Sequence, residues 1–349
     1  MDFPVFLCSP KRRKGFAQAK EKRGTSMIFD GHSDIFSDVR YKREAGETQV
    51  LKNRHLERLQ KGGITGGCFV IWADTFNGED PGKEMDAIIR NMQDEMAEAE
   101  DFVLVHNRAE IEAAKKAGKI SVLLGLEGLA GIGENIDRIH ELYDIGCRHA
   151  MLTWNEENAL ATGVKGTPER GVTELGRKAI QLIQDKKMIL DVSHLNEKSF
   201  WDVMGLTTAP ILASHSNAKA LAGAARNLTD DQLRAIRDTN GLVGLNAFND
   251  FVSDIKAEQD VDGLVRHASY IAEKIGVEHL GFGFDFFEFL NTDFMASYSD
   301  QDDSLLKGME DCSKVPVMLE KMRKAGFTEK DLELISHKNW LNLIENIMG

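Results

Sequence analysis

From Met27 onward, short apolar runs alternate with longer amphipathic stretches, and that rhythm constrains the fold more than any other feature of the chain. A continuous apolar run of about 4–8 residues suits a strand buried on both faces, whereas apolar residues spaced three and four apart mark one face of a helix. Repeated alternation of the two builds a parallel sheet, because parallel neighbours need a crossover and a helix supplies it. Eight runs qualify as strands: 27–34, 64–72, 120–127, 148–154, 188–194, 210–215, 241–247 and 280–285.

Helical patterns lie between these runs. ENIDRIHELYDIG places Ile136, Ile139, Leu142, Tyr143 and Ile145 on one side, with Gly146 as the stop. TELGRKAIQLIQDKK does the same with Leu175, Ala179, Ile180, Leu182 and Ile183. Thr229-Asp230-Asp231 opens a capped helix that stops at Gly241, and VDGLVRHASYIAEKIG gives another before the last strand. Eight strands with interleaved helices and no dinucleotide-binding glycine fingerprint predict an α/β fold of the closed (β/α)₈ barrel type, with an open doubly wound sheet as the competing arrangement. No linker-like run divides the body, so residues 27–349 are expected to form a single barrel domain, with two further helices over 314–349.

The first 26 residues differ from the rest. They hold seven basic and two acidic residues, a local charge of +5 in a chain of −13, so the body carries −18. The segment is expected to be a disordered basic tail, with Met27 a candidate start of the native protein. A body this acidic is a poor ligand for nucleic acid. No apolar run reaches the ~18 residues of a membrane span. Cys8, Cys68, Cys147 and Cys312 are scattered without paired spacing, which argues against a disulfide framework and favours a reducing cytoplasm.

In barrels of this kind the active site forms where the strands end at their C-terminal side. The first strand ends Asp30-Gly31-His32-Ser33-Asp34 and the third ends Leu126-Glu127-Gly128. The fifth ends Asp191-Val192-Ser193-His194, the sixth Ala213-Ser214-His215-Ser216-Asn217 and the eighth Gly283-Phe284-Asp285. His32 and Asp34 are two apart, which on a strand puts both side chains on one face. Taken alone, that pair reads as a histidine hydrogen-bonded to a carboxylate. Glu127 closes a long apolar run, where a carboxylate is costly to bury without a cation or an Arg or Lys partner. With His194 and His215 on adjacent strands, the set offers the nitrogen and oxygen donors of a zinc site. The other histidines read as ordinary: His149 falls near the start of its strand, at the wrong end of the barrel, and Asp191 as a supporting group.

The segments FDGHSDI, GLEG, LTWNEEN, DVSH, ASHSNA, AARNLTDDQL, GFGFDF and EDCSKVPVMLEKMRKAGFTEKDLELI, in that order, resemble the renal (membrane) dipeptidase family of zinc peptidases over about residues 27–349. The resemblance implies two zinc ions per chain, the first held by His32 and Asp34, the second by His194 and His215, with Glu127 bridging. It implies Asp285 as the catalytic acid–base and Arg226 as the group that grips the substrate's C-terminal carboxylate. The reaction it implies is hydrolysis of dipeptides, including those with a C-terminal D-residue, by a water that the two metals share and acidify. A homodimer is implied by analogy alone.

Two departures from the family pattern bear on substrate. Trp154 stands where many members carry a histidine that binds the substrate carbonyl; its indole N–H and Asn155 beside it are the candidate donors. After Asp285 the chain reads Phe286-Phe287-Glu288, so a second aspartate of the family is replaced by Phe287. Two other readings compete. One is a different amidohydrolase-type barrel, acting on lactones, cyclic amides or as a deaminase; such enzymes begin with His-x-His or bridge their metals with a modified lysine, and this chain has neither. The other is a zinc-binding barrel without catalysis.

Overall fold

The computed structural model describes residues 27–290 and 305–349. The expected tail, 1–26, lies outside the described residues. Among the described residues nine strands form: β1 (Ile28–Ser33), β2 (Ile64–Trp72), β3 (Phe102–Leu104), β4 (Ile120–Glu127), β5 (Cys147–Met151), β6 (Ile189–Asp191), β7 (Leu212–Ala213), β8 (Leu242–Leu245) and β9 (Leu280–Phe282). Every pairing between these strands is parallel. The order runs β1, β2, β4, β5, β6, β7, β8, β9 and returns to β1, which closes an eight-stranded barrel with interleaved helices.

β3 is the strand that the sequence pattern does not reveal. It pairs with Ile120–Val122 on the edge of β4 that β5 takes up from Leu124 onward. A segment of three residues carries too little periodicity to stand out, and it gains its ladder from β4 alone. β4 is thus paired along its whole length, on one edge to β2 and on the other first to β3 and then to β5. All of its residues are buried. Glu127 at its end is therefore delivered by one of the most constrained strands of the barrel.

Several expected strands are longer on paper than in space. The runs 188–194, 210–215 and 280–285 shorten to Ile189–Asp191, Leu212–Ala213 and Leu280–Phe282, and 148–154 becomes Cys147–Met151. In each case the ladder stops where the chain bends into the barrel mouth. His194 and Asp285 lie in these bends with left-handed backbones, φ 70° and 60°. β1 ends at Ser33, and Asp34 already begins the helix Ile35–Glu44, so simple strand alternation does not account for its meeting with His32.

The helices form where their caps and faces require. Thr173 accepts from the amide of Gly176, and Ala179, Ile180 and Ile183 of Glu174–Asp185 face the barrel. Thr229 and Gln232 make a reciprocal capping box at the start of Asp230–Asp238. At the floor, the C-terminal helix Asn339–Met348 buries Trp340, Leu341 and Ile344 with Phe29, Leu123, Ile189, Leu212 and Leu242 of the strands. Trp340 donates its indole N–H to Phe282 O at 3.0 Å. Gly31 is needed there, since a β-carbon at that position would lie 1.9 Å from the Trp340 ring. Cys68, Cys147 and Cys312 are free thiols, all buried. No helix among the described residues is long and apolar enough to cross a membrane.

Candidate active site

The barrel mouth brings His32, Asp34, Glu127, His194, His215 and Asp285 together. His32 is wholly buried at the centre. Its Nε2 lies 3.2 Å from Glu127 Oε2, 3.5 Å from Asp34 Oδ2 and 3.8 Å from Asp285 Oδ1. The other oxygen of Glu127, Oε1, lies 2.8 Å from His194 Nε2 and 3.8 Å from His215 Nε2. Glu127 therefore turns one oxygen to each half of the cluster.

The protonation pattern comes from burial. Burial, and then the positive charges of Arg226 and His32, holds His194 well below the usual histidine range. Burial does the same to His215, helped by His32 and Arg226. His194 Nδ1 donates to Asn155 Oδ1 at 2.9 Å, so the lone pair of the neutral ring sits on Nε2 and points at the cluster. The Ser214 hydroxyl is 2.8 Å from His215 Nδ1 and can donate or accept, so either tautomer of His215 is satisfied. Burial pushes Glu127 and Asp285 above the usual carboxylate range, with Asp34 adding to the push and His32 opposing it. Burial opposes the charge on His32, but Glu127 and Asp34 outweigh it and raise the ring's affinity for a proton.

These donors fit divalent cations. Both ring nitrogens of His32 and Oδ1 of Asp34 are buried without a hydrogen-bond partner. Two geometric groups have ligand atoms within 4.8 Å of one another, His32 with Glu127 and His215, and His32 with Asp34 and Asp285. Three histidines and three carboxylates crowded into a dry site offer the nitrogen and oxygen donors that a divalent cation can take once their shared protons leave.

A cavity of about 200 Å³ opens above the cluster, lined by Asp34, Glu127, Asp285, Trp154, Phe251 and Arg226 among others. Arg226 is buried, and its guanidinium donates only to neutral acceptors, Ser216 Oγ at 3.4 Å and His215 O at 3.2 Å. Its Nε has no hydrogen-bond partner, and no carboxylate lies within ion-pair distance among the described residues. Burial lowers its pKa to about 10, against the raising effect of Asp285, Glu127 and Asp191 at longer range.

Trp154 and Asn155 lie three and four residues past β5. Trp154 packs edge-on against Trp72, with ring centroids 5.1 Å apart, and also against Phe76 at 5.3 Å. It forms an apolar wall of the cavity, 6.2 Å from the ring of His194. Asn155, which also lines the cavity, accepts from His194 through its side-chain oxygen. Phe287, the other departure, packs at a tilt against Phe248, which in turn meets Phe251, and so extends the opposite apolar wall.

The sequence pattern does not single out several supporting residues. Asn246, just past β8, donates to Asp285 Oδ2 at 3.0 Å and fixes that carboxylate; the seventh apolar run ends without an ionisable group, although this amide is visible there. Asp30 Oδ1 accepts from the amide of Phe284 at 2.9 Å, and burial raises its pKa to about 7. His149 faces Asp191 at 2.7 Å deep in the barrel, so its position low on the strand does not remove it from the mouth's support.

Comparisons with known proteins give the family of this barrel. Residues 16–348 match the membrane dipeptidase family, peptidase family M19. A Klebsiella pneumoniae protein encoded in the pqqA 5′ region, itself uncharacterized, is 33% identical over 249 residues, covering 68% of this chain and 86% of its own. A crystal structure of a Rhodobacter sphaeroides metallo-peptidase, liganded with a phosphinate mimic of the dipeptide L-Ala-D-Ala, has a TM-score of 0.80 at 27% identity and covers 93% of this chain and all of its own. A second metallo-peptidase of family M19, dipeptidase AC, superimposes with a TM-score of 0.81 at 27% identity and the same coverage. With a family match across nearly the whole chain and metallo-peptidase structures that superimpose over 93% of it, the chain belongs to the membrane dipeptidase family and is a metallo-dipeptidase.

Proposed function

We propose that the protein hydrolyses dipeptides with two zinc ions, one held by His32 and Asp34 and one by His194 and His215, with Glu127 between them. The observation that carries the substrate reading is Arg226, a buried cation without a carboxylate partner that faces the same cavity as the cluster. A buried guanidinium is costly unless an anion meets it, and a dipeptide's terminal carboxylate supplies one with matching fork geometry. The carboxylate then sits one residue beyond the cut, which selects dipeptides over longer chains.

When bound, the cations would acidify a shared water and polarise the scissile carbonyl. The protein's own groups do the rest. Asp285, held at Oδ2 by Asn246, takes the proton of the attacking water on Oδ1. The same proton passes to the leaving nitrogen as the C–N bond breaks and the C–O bond is kept. Trp154, Phe248 and Phe251 line the cavity and keep bulk water from the reacting carbonyl. A substrate gripped at its carboxylate leaves the configuration of the terminal residue free to vary, and the Rhodobacter sphaeroides relative binds a mimic of L-Ala-D-Ala. We extend the proposal to dipeptides with a C-terminal D-residue.

The test is a panel of L,L and L,D dipeptides, each as free acid and C-terminal amide, with metal content measured on the same sample. Free acids should be cleaved far faster than amides, and Arg226→Ala should erase most of that difference through kcat/KM. Equal rates on acids and amides by the unaltered enzyme would sink the reading of Arg226.

A further inference from the structure

Beneath the ligand-bearing turns lies a carboxylate that the proposed chemistry does not use. Asp191 is the last residue of β6, wholly buried, three residues before His194. Its Oδ1 accepts from the amide of Ser193 at 2.8 Å and from the amide of Ser214 at 3.2 Å. Those two residues immediately precede His194 and His215. Its Oδ2 lies 2.7 Å from Nε2 of His149, which comes from β5 and is also fully buried. One carboxyl group therefore joins three neighbouring strands at the level where the ligand turns depart.

The backbone ladder is short at the same place. β6 and β7 share a single register position, Asp191 with Leu212, and β7 has only two residues. A ladder so short leaves the relative height of the two turns under-determined. His194 adds to this, because its left-handed backbone needs a turn held from outside. The interior makes room for the clamp: a β-carbon on Gly125 would lie 2.6 Å from His149 Nδ1 and 2.7 Å from Cys68 Sγ. The two turns bring His194 Nε2 and His215 Nε2 to 2.7 Å from each other.

We propose that Asp191, backed by His149, is a positioning residue that sets the spacing of His194 and His215 and thereby the affinity of that cation site. The inference rests on reading His194, His215 and Glu127 as cation ligands. It separates one cation from the other: the amides held by Asp191 lead to His194 and His215 alone, while His32 and Asp34 ride on β1 and the helix that succeeds it.

The experiment is zinc binding by chelator competition on the full chain, for the unaltered protein and for Asp191→Asn and His149→Gln, with thermal unfolding beside each. Partners behind metal ligands typically contribute about 10–100-fold in affinity. Asp191→Asn should weaken one zinc by about tenfold or more and leave the other within about threefold, with His149→Gln moving the same site less. Cobalt in place of zinc should show the change as an altered visible spectrum for one ion only. A folded Asp191→Asn protein with both affinities unchanged overturns the proposal, as does an equal loss at both sites. If Asp191→Asn does not fold, His149→Gln decides on the same criteria. An unaltered protein that binds fewer than two zinc ions overturns the two-cation reading itself, which is a separate outcome visible in the control.

Discussion

The Nε2 atoms of His194 and His215 lie 2.7 Å apart, both within reach of one oxygen of Glu127. Asn155 fixes the proton of His194 on the far nitrogen, so the proton between the rings belongs to His215. On the proposed two-cation reading that proton would have to leave, and the Ser214 hydroxyl lets His215 carry it on Nδ1 instead. The pair is a poor hydrogen bond to keep and a good pair of lone pairs to offer.

Removing one ring should remove one ion. His194→Ala is expected to lower the zinc content by about one equivalent, on a two-cation site of the kind that shares a water. Elemental analysis of the dialysed protein checks this, and retention of the full content would show that His194 is not a ligand.

Asp285→Asn should keep the metals and lose turnover. General acid–base groups typically contribute about 10²–10⁴-fold, and a loss of kcat in that range is expected. The amide still accepts from Asn246, so the fold should be undisturbed. Unchanged kcat would remove Asp285 from the proton path.

The stripped protein should grow less stable as pH rises above neutrality. Burial works against the charge of His149, but Cys68 and Asp191 outweigh it and raise the ring to about 9; Glu127 and Asp34 raise His32 well above its ordinary 6.5. Burial raises Asp30 to about 7 and pushes Glu127 and Asp285 up as well. From pH 6.5 upward the folded chain therefore holds protons that the unfolded chain has lost, and its stability falls through the pKa values of these groups. Below 6.5 the neutral His194 and His215 act in the opposite direction. Cations take the place of these protons, so zinc affinity should rise over the same window. Thermal unfolding with and without chelator between pH 6.5 and 9 reads both trends; a flat profile for the stripped protein would contradict the buried-proton picture.

Trp154 should matter for stability as well as for substrate. Its ring fills the space between Trp72 and Phe76, and truncating a buried aromatic typically costs about 3–5 kcal/mol. Trp154→Ala is expected to lose stability in that range in urea unfolding and to raise KM by opening the wall. A loss under about 1 kcal/mol would mean that the wall collapses onto the gap.

Much of this site is legible in the sequence, because barrels place their chemistry where apolar runs stop. Glu127, His194, His215 and Asp285 each stand where such a run gives out. The support beneath them is not legible in the same way. His149 sits low on its strand, and only the pairing of Ala150 with Leu190 and Met151 with Asp191 reveals that it reaches Asp191. Asn155 is visible as a polar residue but not as the acceptor that fixes a tautomer, since that depends on a loop bending back by a definite amount. β3 is hidden because three residues hold no period. The apolar runs overstate the strands because apolar character continues past the last ladder bond into the turns.

Those turns have a practical consequence. His194 and Asp285 hold left-handed backbones, a conformation that favours glycine by roughly 1–2 kcal/mol over other residues. Anyone seeking a more heat-tolerant form of this enzyme by relaxing unfavourable dihedrals would meet these two among the left-handed positions, with Gln49, Lys187 and Asn240. Glycine at His194 or Asp285 would ease the chain and, on the roles proposed for them, silence it, so a survey guided by thermal shift alone would count inactive proteins among its gains.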